Sequence, residues 1–164
     1  MDLDAVFRQY AAYVGTIAYR ILGTRDELED VVQDVFLRAH RTLSTLRKHE
    51  AINSWLATVT VRVCHQRLRA RKVRRWLLLD TGLPSYEPRD PAASPETKAA
   101  LNDMFRALET LPVNARVAWS LRHLQGERLE RVAELTGCSL AAVKRRLAKA
   151  QAVLDQVIRR EEGR

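Results

Sequence analysis

The sequence predicts an all-α protein: two small helical domains joined by a Pro-rich linker, the C-terminal one a helix-turn-helix domain. Three observations predict it. Apolar residues recur with helical period along almost every segment. Four of the five prolines, Pro84, Pro88, Pro91 and Pro95, crowd between Asp80 and Glu96. Near the C-terminus, two short apolar-periodic segments flank a tight turn, Thr136-Gly137-Cys138, and the second carries a basic outer face. The expected boundaries are an N-terminal domain over 1–79, a flexible linker over 80–96 and a C-terminal domain over 97–164.

The first helix carries the stripe Val6, Tyr10, Tyr13, Val14, Ile17, Ala18, Ile21 and Leu22, and Gly23 stops it. Thr24 is placed to cap a second helix, with Glu27 as its capping-box partner. In that helix Leu28, Val31, Val32, Val35, Phe36 and Ala39 face a core. A looser stretch follows, from about Leu43 to Ala51. A third helix runs from near Asn53 to about Arg75; Val59, Val61 and Val63 are β-branched, but no turn signal divides it. The proline cluster, with Gly82 and two serines, reads as extended linker and not core. Beyond it, a helix is expected from about Pro95 to Glu109. Pro112 suits the first turn of the next, which ends near His123, ahead of Gly126. A third spans about Arg128 to Leu135, and Ser139 caps the last.

Composition limits what such a chain can do. Across 164 residues, 28 Lys and Arg stand against 20 Asp and Glu, a net charge of +8, which favours a polyanionic partner such as DNA, RNA or an anionic surface. The two cysteines, Cys64 and Cys138, begin no metal-spaced pair; two reduced thiols suit a cytoplasmic protein. The N-terminus has no signal-peptide layout and no apolar run is long enough to span a bilayer. No cofactor and no metal are expected.

Three features carry chemistry. The first is an acidic helix face: Asp26, Asp30 and Asp34 at i, i+4 spacing, with Glu27 and Glu29 beside them, opposite the apolar stripe. Preference for acidic residues at a helix start accounts for Asp26 and Glu27. It accounts poorly for Asp30 and Asp34 on a basic protein, which point to a protein partner. No His or Cys accompanies the carboxylates, which disfavours a metal or acid–base site.

The second is a basic helix. From Ala51 to Leu79 there is no acidic residue, while Arg62, Arg67, Arg69, Arg71, Lys72, Arg74 and Arg75 are all present, bracketed by Trp55 and Trp76 with His65 between. Charges this dense repel one another, a cost that a phosphate backbone relieves. Exposed aromatics here could stack unpaired bases, although a core place suits the Trp55 ring better. The third is the helix-turn-helix itself. Small Ala133 allows close helix approach, Gly137 permits the turn, Val132, Leu135, Val143 and Leu147 form the shared core, and Lys144, Arg145, Arg146 and Lys149 are the outward basic positions.

At these residues the chain resembles the extracytoplasmic-function (ECF) subfamily of sigma-70-type RNA polymerase sigma factors, over nearly its whole length. The segment FRQYAAYVGTIAYRILGTRDELEDVVQDVFLRAHR resembles the family's opening segment, and its EDVVQDVFLRA is the most specific part. The resemblance implies docking on the largest catalytic subunit of core RNA polymerase through Asp30, Gln33, Asp34 and Arg38. Leu46 to Arg75 resembles the segment that melts and reads the minus-ten promoter element. It implies minus-ten contacts by Lys48, His49, Asn53, Trp55, Arg62, Arg67, Arg69, Arg71 and Lys72. Trp55 and Leu56 match the family text, while Lys48, His49 and Ile52 depart from it, around the loop where the family captures a flipped-out base. The stretch from ALETLP to AQAVL resembles the domain that binds the minus-thirty-five element, implying contacts by Ser139, Lys144, Arg145, Arg146 and Lys149. Arg145 stands where the family has a serine, so a long bidentate donor replaces a small hydroxyl.

The expected function is that of a transcription initiation factor, cytoplasmic and bacterial, which binds core RNA polymerase and directs it to specific promoters. By the same resemblance, an anti-sigma protein that wraps or wedges between the two domains is an expected partner. The main rival is a stand-alone helix-turn-helix regulator that never binds polymerase, which leaves the acidic helix without a use. An RNA-binding adaptor leaves the helix-turn-helix unexplained. An enzyme is disfavoured, because no Gly-rich phosphate loop and no nucleophile–base constellation appears.

Overall fold

The computed structural model describes residues 2–42, 52–77, 82, 84 and 86–163. Helix α1 spans Leu3–Leu22, α2 Leu28–Thr42, α3 Ile52–Trp76, α4 Pro95–Glu109, α5 Val113–Trp119, α6 Leu129–Thr136 and α7 Leu140–Glu162. A π-helical turn, Ser120–Leu124, continues α5. There is no strand among the described residues.

The helix ends follow local chemistry. Asp2 caps α1 by accepting from the Asp4 amide at 3.1 Å. Gly23 closes it with φ at 74°, donating to the Tyr19 carbonyl at 2.7 Å. Ser94 caps α4, with Pro95 in its first turn. Gly137 takes a φ of 65° to close α6, and Ser139 then accepts from the Ala142 amide at 3.1 Å to start α7. One cap departs from expectation. Thr24 accepts from the Asp26 amide at 3.2 Å and α2 begins only at Leu28. Glu27 is not its capping-box partner, because the carboxylate reaches across to Arg71 at 2.8 Å.

Helices α1, α2 and α3 pack around Val14, Ile17, Ile21, Val31, Val35 and Leu56, all 2% exposed or less. That core does not stop at the N-terminal half. Val117, Ala118 and Leu121, with Val132, Leu135 and Val143 of the helix-turn-helix, belong to the same apolar cluster. Helices α5 and α6 lie against α3, and the π-helical turn lies against α1. A second cluster joins Phe105, Leu108 and Leu111 to Ala150 and Leu154 of α7.

Tyr86 belongs to this second cluster, stacked on Phe105 with ring centroids 5.1 Å apart. The proline segment was expected to stay out of any core; at Tyr86 that expectation is corrected. The segment also crosses α1: the Tyr19 hydroxyl donates to the Glu87 carbonyl at 2.5 Å, and Arg89 donates to the Thr16 hydroxyl at 2.6 Å.

Gly23 has two roles. Beyond its positive φ, a Cβ there would lie 2.5 Å from the Phe105 ring, so the end of α1 and the face of α4 approach more closely than a side chain allows.

Candidate nucleic-acid interface

Helix α2 buries Val31, Val35, Phe36 and Ala39 and turns Glu29, Asp30, Gln33 and Arg38 to solvent. Asp34 does not share that exposure. It is half-buried and accepts from Arg67 of α3 at 2.7 Å, while Arg38 donates to Gln66 of α3 at 3.0 Å. Asp26 lies in the turn before the helix, so the helical acidic face is narrower than the i, i+4 spacing suggested. Beside Gln33 opens an apolar groove of about 640 Å³ between α1 and α2, lined by Leu3, Phe7, Val32, Phe36 and Leu37 among others. Sequence reasoning missed it because Leu37 falls outside the core stripe and Phe7 was not assigned to one.

Helix α3 sorts its cations into three environments. Arg62, Arg69 and Arg74 are exposed. Arg67, Lys72 and Arg75 are half-buried. Arg71, read from the sequence as a minus-ten contact, is buried at 5% exposure. Asn53 is exposed at the start of the helix, and Trp55 packs half-buried against the core. Lys48 and His49 lie outside the described residues.

What holds Arg71 is a buried charge cluster that sequence reasoning did not find. One carboxylate, Glu109 at the end of α4, accepts from Arg116 at 2.6 Å, Arg71 at 2.9 Å and Arg75 at 2.5 Å. The Tyr86 hydroxyl also donates to it. Arg71 reaches Glu27 with its other nitrogen. Arg116 spends its remaining donors on the last carbonyls of α1, Ile21 at 3.2 Å and Leu22 at 3.0 Å. These are acceptors at the negative end of a helix, where a cation is favoured. Lys72 donates to the Leu111 carbonyl. Burial opposes ionisation of Glu109, but the Arg116 charge and the hydrogen bonds outweigh it and hold the carboxyl at about 2.

The helix-turn-helix presents Ser139, Lys144, Arg145 and Lys149 as exposed residues. Arg146 was expected to face outward with them. It is half-buried instead, within 3.1 Å of the Cys138 sulfur, and lines a groove with Arg62, His65 and Arg69 of α3. Across this groove His65 Nε2 and Asn114 Oδ1 lie 2.6 Å apart. Cys64 is fully buried, which pushes its thiol up to about 12 and makes it a poor nucleophile. No helix among the described residues is long and apolar enough to cross a membrane.

The arrangement thus offers one exposed polar face on α2, one cationic helix, and one helix-turn-helix with a basic outer face. Comparison with known proteins matches the same parts. Residues 6–74 match the family Sigma-70 region 2, and residues 101–152 match Sigma-70, region 4. The chain is 32% identical to the ECF RNA polymerase sigma factor SigM of Mycobacterium tuberculosis over 155 residues, 94% of this chain and 76% of that protein. It is 26% identical to the ECF RNA polymerase sigma-E factor of Escherichia coli over 159 residues, 92% of this chain and 83% of that one. Among solved structures, the fold is similar to the sigma factor RpoE in complex with the anti-sigma factor NepR from Bartonella quintana. The TM-score is 0.69 at 21% identity, covering 96% of this chain and 97% of that one. CnrH in complex with the cytosolic domain of CnrY gives a TM-score of 0.60 at 20% identity, covering 95% and 86%.

Proposed function

The chain belongs to the ECF RNA polymerase sigma factors, and we propose that it divides the work of promoter-specific initiation among the three faces just described. It binds core RNA polymerase and directs it to promoters, and is not a stand-alone regulator. In the proposed division, α2 docks on the polymerase through Asp30 and Gln33, with Arg38 at the edge and Asp34 holding α2 against α3 through Arg67. Residues 1–79 carry this docking and the minus-ten contacts, residues 80–96 connect, and residues 97–164 read the minus-thirty-five element.

In the C-terminal part, α7 enters the major groove with Lys144, Arg145 and Lys149, and Ser139 sits where its hydroxyl can meet a phosphate. In the N-terminal part, Arg62 and Arg69 hold the backbone of the melted strand, and Asn53 and Trp55, at the start of α3, act with Lys48 and His49 on the minus-ten bases. The chain makes and breaks no bond in this scheme; it positions the polymerase, in the cytoplasm where the promoters are. An anti-sigma factor is the further proposed partner, supported by the similar fold of RpoE having been solved with the anti-sigma factor NepR.

The observation that carries the division is the exposure of Asp30 and Gln33 on one helix and of Lys144, Arg145 and Lys149 on another. The test is run-off transcription with bacterial core polymerase on a promoter library. Asp30→Arg with Gln33→Ala is expected to abolish promoter-specific transcripts while duplex binding by the C-terminal part persists. Undiminished transcripts from that double variant would remove α2 as the docking face.

A further inference from the structure

The buried charge cluster joins parts of the chain that promoter recognition has to separate. By their positions, the minus-ten and minus-thirty-five elements lie about 25 base pairs apart, roughly 85 Å along B-form DNA at about 3.4 Å per pair. A 164-residue chain folded around one continuous core has a radius of gyration of about 15 Å and so a diameter of about 40 Å. Its two DNA-contacting helices cannot reach both elements while α5 and α6 stay packed on α3. The 17 residues from 80 to 96 can span about 55 Å when extended, enough to allow the separation.

The cluster fastens the two halves beside the apolar core that they share. Glu109 and Arg116 come from the C-terminal half, Arg71, Arg75 and Glu27 from the N-terminal half, and Tyr86 from the segment between. Arg71 is among the residues read as minus-ten contacts, yet its guanidinium is tied to Glu109 and Glu27 and only 6% of its side chain is exposed. A fastening made of charges suits a contact that must open. Charged groups recover hydration on separation, which offsets part of the cost of opening a buried ion cluster. An apolar contact of the same size has no such compensation.

We propose that Glu109 is an interdomain latch: it holds the free protein closed on Arg71 and Arg75, a state unable to engage a promoter, and its release accompanies assembly with polymerase and promoter DNA. The latch rests on the initiation function and on the separation of the two promoter elements. It is a property of this chain's own side chains and needs no second protein to hold the closed state.

The test uses the full chain with core polymerase. His65→Cys and Asn114→Cys, whose native side chains meet across the two halves, are joined by a short bismaleimide containing a disulfide. Cys138 is changed to serine, and Cys64 stays because its buried thiol is unreactive. The unstapled protein is expected to transcribe, the stapled one at least about tenfold less, and reduction of the linker is expected to restore the signal. A stapled protein that transcribes within about twofold of the unstapled one overturns the latch.

In a second arm, Glu109→Gln at limiting protein is expected to raise transcript yield about fivefold, because apparent affinity scales with the fraction of competent molecules. Equal or lower yield with unchanged helicity counts against the latch. Spin labels at the exposed Ala12 and Ala152 give a third arm, independent of transcription. A single short distance is expected in the wild type, and an added longer one in Glu109→Gln. A wild type that already shows both distances overturns the latch, whereas absence of transcripts from wild type with a normal distance shift counts against the initiation function alone.

Discussion

Arg116 is the residue whose loss the structure makes most costly. Its side chain is 2% exposed and its guanidinium serves three acceptors: Glu109 and the carbonyls of Ile21 and Leu22. Arg116→Met keeps length and removes every donor. Breaking a buried ion pair from one side typically costs about 3–5 kcal/mol, because the partner stays buried and uncompensated. Here the partner is only partly orphaned, since Glu109 keeps Arg71, Arg75 and Tyr86, which points to the lower end of that range. The two α1 carbonyls add about 1 kcal/mol or more each if water does not reach them. The expected loss is about 5 kcal/mol, read as a shift in the urea midpoint of helical circular dichroism at neutral pH. Arg116→Lys is the sharper control: a point charge can hold Glu109 but cannot fork to two carbonyls, so about 2 kcal/mol should still be lost. A loss below about 1 kcal/mol for Arg116→Met, or wild-type stability for Arg116→Lys, would refute the view that the fork holds α1 to the C-terminal half.

The remaining expectations concern acid, packing and DNA. Glu109 is held at about 2 against an ordinary 4.5, so its stabilisation is complete above pH 4.5 and lost as pH falls towards 2. That is about 3 kcal/mol of stability present at neutral pH, and Glu109→Gln should flatten the acid limb of the stability curve between about pH 5 and 2; an unchanged limb counts against it. Gly23→Ala meets both a positive φ and the Phe105 ring, so it should lose more than the roughly 1 kcal/mol of the backbone term alone. Phe105→Leu should relieve part of that loss in a double-mutant cycle, and strict additivity would show that the close approach does not matter. For DNA, Lys149→Ala should weaken binding to all sequences alike and lower the salt slope by about 1, while Arg145→Ala should relax base preference at one position by about 1–3 kcal/mol. Selection of bound sequences separates the two, and identical profiles would remove Arg145 from base reading.

Much of the helical layout was legible because its signals are local. Gly23, Ser94-Pro95, Gly137 and Ser139 each punctuate the chain within a turn of where the helices end or begin. The start of α2 was not, because Glu27 had a local use in a capping box and a distant one on Arg71, and only the fold decides between them. The joining of the two halves was written faintly. Val59, Val61 and Val63 lie two apart, a spacing that puts neighbours on opposite sides of a helix, and all three are buried. A helix apolar on two opposite sides is a helix covered on both, so this run already signalled a second layer over α3. Arg116 carried a similar sign, a charge framed by Ala115, Val117 and Ala118. Its carbonyl partners, Ile21 and Leu22, lie more than 90 positions earlier, and pairing at that range leaves no periodic trace.

The absence of acidic residues between Ala51 and Leu79 therefore has to be divided before it bears on DNA. In sequence every cation of α3 is unbalanced; in space three are not. Arg67 meets Asp34, Arg71 meets Glu27 and Glu109, and Arg75 meets Glu109. For these, neighbouring helices already relieve the repulsion that seemed to require a phosphate. Arg62, Arg69 and Arg74 are exposed and form no ion pair among the described residues, so the electrostatic case for a nucleic-acid partner in the closed state falls on them. Arg71 loses one of its two carboxylates when Glu109 lets go and keeps Glu27. The basic helix thus has a phosphate-contacting capacity that depends on the packing of the other half of the chain, a dependence invisible to charge counting along the sequence.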